Sequence, residues 1–185
     1  MKSIEQFSEA YAELESAIRE LIAQLFSGTC GLCTACCCRV DICEEATQGA
    51  FLSLLLKKQG LSAADLDDRL GWLDLHGCTL EYGRPPVCYT FFCDELLARL
   101  PDDETRFATR VLGRLMEYVG ENAVEGRHLA EIRKADELQR IDITTVTERL
   151  DEAQAAFDVI EQFIDSGRLE PADIEILAAI PLEES

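Results

Sequence analysis

The cysteines of this chain are concentrated in one region. All nine lie between Cys30 and Cys93, and the other 121 residues have none. Three of them, Cys36, Cys37 and Cys38, are adjacent, so their side chains cannot all point into one apolar core. In a reducing compartment, clustered cysteines are typical of metal or redox sites rather than of a disulfide framework. This region therefore has to fold around its thiols, and we interpret the rest of the chain as a scaffold.

Length and composition predict a single globular domain. The chain has 185 residues, of which 48% are hydrophobic and 29% are charged. These fractions are close to the globular averages of roughly 45–50% and 25%, which excludes collagen-like and wholly disordered proteins. We predict one domain over residues 1–185. Within it, a cysteine-cluster module, residues 28–95, is carried by a helical scaffold, residues 1–27 and 96–185.

Apolar side chains recur every three or four residues through most of the chain, which predicts amphipathic helices. The predicted helices cover residues 4–25, 44–59, 62–73, 94–100, 104–119, 127–138 and 146–164, and a short closing helix begins at Pro171. The predicted end signals are Gly28, Gly60, Pro101, Gly120 and Gly167, and the predicted start signals are Ser62 with Asp65 and Thr144 or Thr145. No alternating pattern longer than four residues indicates a strand.

The predicted fold class is therefore all-α, a helical bundle with two cysteine-rich metal-binding loops. The loops are residues 29–43, here named the first cysteine segment, and residues 77–93, the second cysteine segment. Gly83, Pro85 and Pro86 break regular structure in the second one.

The net charge is −19, and residues 94–185 carry 10 basic against 23 acidic side chains. A phosphate backbone would be repelled, so we predict no nucleic-acid partner. The acidic half is interpreted as a solvated helical surface that favours cationic partners. No apolar run approaches the roughly 18 residues of a membrane span, and acidic residues interrupt the N-terminus where a signal peptide would be apolar. We predict a cytoplasmic protein with no membrane association.

The spacing of the cysteines points to a metal. The first segment contains Cys30, Cys33 and Cys36 at intervals of three, and thiolates at this spacing can converge on one centre. A structural zinc ion needs four ligands, which two separated pairs would supply: Cys30 with Cys33, and Cys88 with Cys93. A 4Fe-4S cluster is often held by C-x2-C-x2-C and one distant cysteine near a proline, which the triple and Cys88 would supply. The triple favours iron and sulfur over zinc, and unmetallated buried thiols are the third alternative.

Four other side chains bear on the site. Arg39 and Arg84 are the nearest cations; each either donates to thiolates or sulfides or is an ordinary surface arginine. His76, two residues before Cys78, is a candidate ligand or hydrogen-bond donor to one. His128 is predicted to lie on the surface.

The pattern C-x2-C-x2-C-C at residues 30–37, Gly77-Cys78, and Arg84-Pro85-x-x-Cys88 with a closing Cys93 resembles the CxxCxxCC family. This family, also called the YkgJ-type cysteine cluster, is described as zinc- or iron-chelating domains. The likeness covers residues 30–93, about a third of the chain. It implies a ligand pool of seven metal-binding residues: Cys30, Cys33, Cys36, Cys37, Cys78, Cys88 and Cys93. Relatives resembling flagellin lysine methylases are taken to hold a four-iron cluster with such cysteines, which supports iron here by analogy.

The chain also departs from the family pattern. Cys38 and Cys43 are additional, Tyr89 stands where an arginine is common, and Phe92 replaces a proline before the last cysteine. Where relatives often have a further cysteine, this chain has Gly71-Trp72-Leu73. A ligand could therefore have moved to Cys38 or Cys43.

Three functions follow from these residues. The first is a metal-binding protein with an electron-transfer or metal-handling role, its cofactor a 4Fe-4S cluster or, alternatively, zinc. The second is a methyl-transfer enzyme, which would need an S-adenosylmethionine pocket; no glycine-rich turn from strand to helix is present to build one. The third is a structural zinc protein whose acidic helices, residues 102–119 and 145–166, bind a basic protein partner. The first is favoured, so a non-enzymatic role is expected.

Overall fold

The computed structural model describes residues 3–30, 39–74 and 77–182, the side chains at 27–30 and 95 excepted. The described chain is mostly helical, which confirms the all-α prediction. Its helices are α1 (Ile4–Cys30), α2 (Val40–Gln48), α3 (Ala50–Lys58), α4 (Val87–Thr90), α5 (Asp94–Ala98), α6 (Asp103–Gly120), α7 (Ile143–Ser166) and α8 (Pro171–Ala178). Strands β1 (Leu73–Asp74) and β2 (Gly77–Cys78) pair antiparallel, with Leu73 opposite Cys78. None of the described helices combines the length and apolar character that crossing a membrane requires.

The main core lies between the long helices. α7 packs along α6 and also contacts α1 and α8, while the short α4 packs on α6. The apolar stripe of α1 is buried here, and Tyr11 meets Phe51 of α3 edge to face at 5.1 Å between ring centroids. Full burial of one large apolar side chain contributes about 1.5–3 kcal/mol, so these stripes supply most of the driving force for the bundle. The long helices predicted from periodicity at the N-terminus, over 104–119 and over 146–164 are among those observed.

The ends of α7 confirm one prediction and correct another. Gly167 ends the helix in the left-handed conformation, with φ of 69°, as predicted. The N-cap is Asp142, whereas the sequence predicted Thr144 or Thr145. Its Oδ1 accepts from the N–H of Thr145 at 3.2 Å, so the capping residue lies one position before the first helical residue.

Two glycines behave differently from the prediction. Gly28 does not stop α1, which continues to Cys30, because a helical glycine costs only about 1 kcal/mol relative to alanine. Gly49 divides the helix predicted over 44–59 into α2 and α3. The N–H of Ala50 donates to the Ile132 carbonyl at 2.6 Å, and a Cβ on Gly49 would lie 2.8 Å from the Ala130 carbonyl oxygen. A distant segment therefore breaks this helix, and it is invisible in the local pattern.

The helix predicted over 62–73 is wrong. Ser62 and Asp65 do form the predicted capping arrangement, but it opens only a short 3₁₀ turn, Ala63–Asp65. The Asp67 carboxylate then accepts from the N–H groups of Arg69 and Leu70, both at 2.8 Å, and holds a turn. β1 follows directly. Local side-chain hydrogen bonds of this kind compete with the helix.

The helix predicted over 127–138 is also replaced, by 3₁₀ turns at Leu129–Glu131 and Ala135–Arg140. His128, predicted to lie on the surface, is partly buried and caps the first turn: its Nδ1 accepts from the Ala130 N–H at 3.0 Å. Its Nε2 lies 3.0 Å from the Glu117 carbonyl oxygen, so the neutral ring carries its proton on Nε2. Burial lowers the pKa of His128 below 6.5, against opposing contributions from the Glu117, Glu121 and Glu131 carboxylates.

We expect His128→Asn to flatten the pH dependence of the free energy of unfolding below about pH 6.5. The folded-state pKa of His128 is below its unfolded value, so its contribution to stability is complete above that value and is lost as pH falls through the folded pKa. Protonation also turns Nδ1 from an acceptor into a donor facing the Ala130 N–H, whereas asparagine can accept this bond at any pH. Urea unfolding of both proteins between about pH 5 and pH 8 measures the difference. Parallel pH curves would contradict the role given to His128.

Candidate metal centre

The seven predicted ligands fall into two groups. Cys33, Cys36 and Cys37 lie outside the described residues, as do Cys38 and His76. The other four are placed at least by their backbone: Cys30 is the last residue of α1, Cys78 is on β2, Cys88 is on α4, and Cys93 directly precedes α5. Parts of both predicted loops are therefore regular structure, since α2 begins within the first cysteine segment and α4 lies within the second.

An aromatic contact brings the end of α1 to the second cysteine segment. The rings of Phe26 and Phe92 lie 5.7 Å apart between centroids. Phe26 is one helical turn before Cys30, the last residue of α1. Phe92 directly precedes Cys93. The last turns of α1 and the end of the second cysteine segment therefore meet at this contact.

Two of the three cysteines of the second cysteine segment are exposed to solvent. Cys88 and Cys93 are exposed, while Tyr89 between them is buried. The turn is set by Pro85 and Pro86, whose carbonyl oxygens accept from the N–H groups of Cys88 and Tyr89 at 2.9 and 2.8 Å. One side of α4 thus packs inward on α6, while Cys88 on α4 and Cys93 directly before α5 are exposed.

A buried carboxylate on α1 holds this segment by hydrogen bonds. Glu15 of α1 has no exposed surface, and its two oxygens accept from the Gly83 N–H at 2.7 Å, the Arg84 N–H at 2.8 Å and the Tyr89 hydroxyl at 2.7 Å. Burial raises the pKa of Glu15, although these three hydrogen bonds and the Arg84 charge act in the opposite direction. The sequence analysis missed Glu15. The sequence did contain a signal for its burial, because Glu15 lies four residues after Tyr11, on the apolar face of α1.

The two candidate cations make ordinary contacts. Arg39 is exposed and pairs with Asp41 at 2.6 Å, as expected of a surface arginine. Arg84 is half-buried, and its guanidinium donates to the carbonyl oxygens of Leu80, at 2.8 Å, and Cys78, at 3.4 Å. Arg84 therefore stabilises the end of β2 and the residues that follow it through these hydrogen bonds.

Cys43 and Cys78 pack against the same small apolar cluster, away from the main core. Trp72, at the centre of this cluster, donates from Nε1 to the Cys43 carbonyl oxygen at 3.1 Å. The Cys43 sulfur lies so close to Gly71 that a Cβ there would be 2.6 Å from it. Cys43, one of the two additional cysteines of the sequence, is thus placed beside the hairpin that carries Cys78, whereas Cys88 and Cys93 lie further along the second cysteine segment, on α4 and directly before α5.

The donor chemistry fits a thiolate-bound metal in part. Cys88 and Cys93 are both exposed, and soft thiolates suit both zinc and iron–sulfur clusters. Within residues 3–30, 39–74 and 77–182, no three His, Cys, Asp or Glu side chains are arranged to hold a metal ion. Of the predicted centre, the structure describes the exposed thiols of Cys88 and Cys93 and the hydrogen-bonded backbone that carries them. The proposed centre also draws on cysteines of the first segment.

An acidic cleft of about 460 Å³ lies beside Val87, on the far side of α4. Its carboxylates come from Glu45, Glu117, Glu121 and Glu131. The buried Arg114 forms ion pairs with Glu117, at 2.6 Å, and with Glu121, so part of this charge is compensated within the chain.

Comparison of the chain with protein-family models, curated proteins and solved structures finds no match. The resemblance to the CxxCxxCC family therefore stays a prediction that rests on the cysteine pattern.

Proposed function

We propose that this chain is a cysteine-cluster metal-binding protein of the cytoplasm. Thiolates of the two cysteine segments would together hold one 4Fe-4S cluster, and the helices would form its support. The ligands are drawn from Cys30, Cys33, Cys36, Cys37, Cys78, Cys88 and Cys93. The role proposed is electron transfer or metal handling, without a catalytic step of its own.

The contact between Phe26 and Phe92 carries this proposal. Thiols that are far apart in sequence can share a metal only if the fold brings their segments together, and this contact brings the last turns of α1, which ends at Cys30, to Phe92, the neighbour of Cys93. A centre there would receive the distant ligands that the C-x2-C-x2-C triple needs to complete a cluster.

Exposure of the thiols supports an electron-transfer or metal-handling role. Cys88 and Cys93 lie at the surface, so a metal bound by them would be close to solvent and to a partner protein. Beside them, Phe91 is 59% exposed and Val87 is 40% exposed. When the cluster is bound, it supplies reversible one-electron chemistry; the chain supplies its ligands and a rigid base.

A second candidate is a structural zinc protein that binds a basic partner. The acidic cleft beside Val87 favours it, because four glutamates line one concave surface. In this alternative, four thiolates hold one zinc ion, which would stabilise the second segment, and the partner would contact the acidic surface of α6.

Metal and sulfide analysis of anaerobically purified protein separates the two. We expect iron and acid-labile sulfide in equal amounts, about four of each per chain, together with a brown colour. Zinc at one ion per chain without sulfide would overturn the cluster and support the structural zinc protein. Protein that takes up neither metal, even after anaerobic reconstitution, would contradict both.

A further inference from the structure

The three donors to Glu15 all come from one short stretch of the second cysteine segment. The N–H groups of Gly83 and Arg84 and the hydroxyl of Tyr89 are at most six residues apart, and Cys88 lies between them. One carboxylate on α1 therefore ties both ends of the turn that carries Cys88.

A carboxylate at this position has to offset the cost of its own burial. Glu15 is surrounded by the apolar stripe of α1, and moving an ionised carboxylate out of water costs several kcal/mol before any partner is found. The Arg84 guanidinium does not compensate by pairing with it, because it donates to the Leu80 and Cys78 carbonyl oxygens instead. A leucine would pack on this stripe at lower cost but could not accept three hydrogen bonds.

The hydrogen bonds to Glu15 also determine which way the Cys88 side chain faces. Tyr89 is buried against the core and held by its hydroxyl, so its neighbour Cys88 is turned outward, where it is exposed. α1 carries Glu15 at its centre and Cys30 at its end. The same helix therefore holds the second cysteine segment through Glu15 and leads into the first.

We infer that Glu15 is a positioning residue of the proposed metal centre, which holds the Cys88 turn in its ligand-binding conformation before the metal arrives. This inference rests on the proposed function. Hydrogen-bond partners that orient metal ligands typically contribute 10–100-fold to metal affinity. Gln at position 15 keeps the size of the side chain but places an NH₂ group against one of the three donors.

The test is a cobalt(II) titration of the anaerobic apoprotein, followed by the thiolate charge-transfer band. We expect Glu15→Gln to weaken cobalt binding by about 10–100-fold, with little change in helical content by circular dichroism. Tyr89→Phe, which keeps the two backbone hydrogen bonds, should have a smaller effect in the same direction. Glu13→Gln, an exposed position on the same helix, is the matched control and should bind as the wild type does.

Wild-type affinity in both Glu15→Gln and Tyr89→Phe would overturn the inference while leaving the proposed function in place. If Glu15→Gln does not fold, the affinity of Tyr89→Phe decides the question alone. A wild-type protein that shows no thiolate band at all would overturn the proposed function, and the inference with it.

Discussion

Gly113→Ala is expected to destabilise the protein and to weaken metal binding together. Gly113 lies on α6 beneath the second cysteine segment, and a Cβ there would lie 2.5 Å from Cε2 of Phe92 and 2.6 Å from the Tyr89 carbonyl oxygen. Overpacking of this kind costs typically 1–3 kcal/mol. The better helix propensity of alanine returns about 1 kcal/mol. Because one of the overlapping atoms belongs to the backbone, we expect the cost of overpacking to exceed the gain in helix propensity, and α4 to shift.

Gly120→Ala provides the matched control. It makes the same substitution on the same helix, but its Cβ would overlap the ring of His128 and not Phe92 or the Tyr89 backbone. Urea unfolding of the apoproteins and cobalt titration should show that both variants lose stability and only Gly113→Ala loses metal affinity. Equal metal affinity in the two variants would contradict the placement of α4 as the base of the site.

The long helices could be predicted because their apolar residues repeat over several turns. The stripes of α1, α6 and α7 each bury one face, and the pattern is strong enough to withstand local exceptions such as Gly28. Boundaries were less predictable where the cause is distant. The break at Gly49 depends on hydrogen bonding to Ile132, more than 80 residues away, which no local pattern contains.

Short-range chemistry also overrode periodicity. The leucines after Ser62 repeat like a helix, but Asp67 offers the backbone a competing set of hydrogen bonds, and Gly71 turns the chain with φ of 63°. In the same way, His128 was read as a surface residue because its sequence neighbours are polar. Its partner is a backbone carbonyl of α6, which the sequence does not place nearby.

The sequence predicted which thiols could bind a metal at the candidate site, but it did not predict the residues that hold them in place. Cysteine spacing identifies Cys88 and Cys93 as thiols of one segment, and the structure places both at the surface. Glu15 reads as one more acidic residue among 36 until the fold shows that it is buried beneath the Cys88 turn. Cys43 was interpreted as surplus or as a substitute ligand, and the structure adds that it packs with Trp72 beside the hairpin of Cys78.

The largest effect is expected when either cysteine segment is disabled. One variant replaces the cysteines of the first segment with serine, and another replaces Cys88 and Cys93. If both segments supply ligands to one centre, neither half alone can hold it, and each variant should lose essentially all bound metal. Thr90→Ser, a conservative change within the second segment, is the control and should retain the wild-type amount. Circular dichroism of all variants should show the helical bundle intact, because none of the cysteine side chains that the structure describes belongs to its main core.

Metal content per chain, measured in these variants after anaerobic purification, tests the shared centre most directly. The account predicts background levels of iron and zinc in both serine variants. Retention of half or more of the wild-type metal by either variant would show that the two segments do not share one centre.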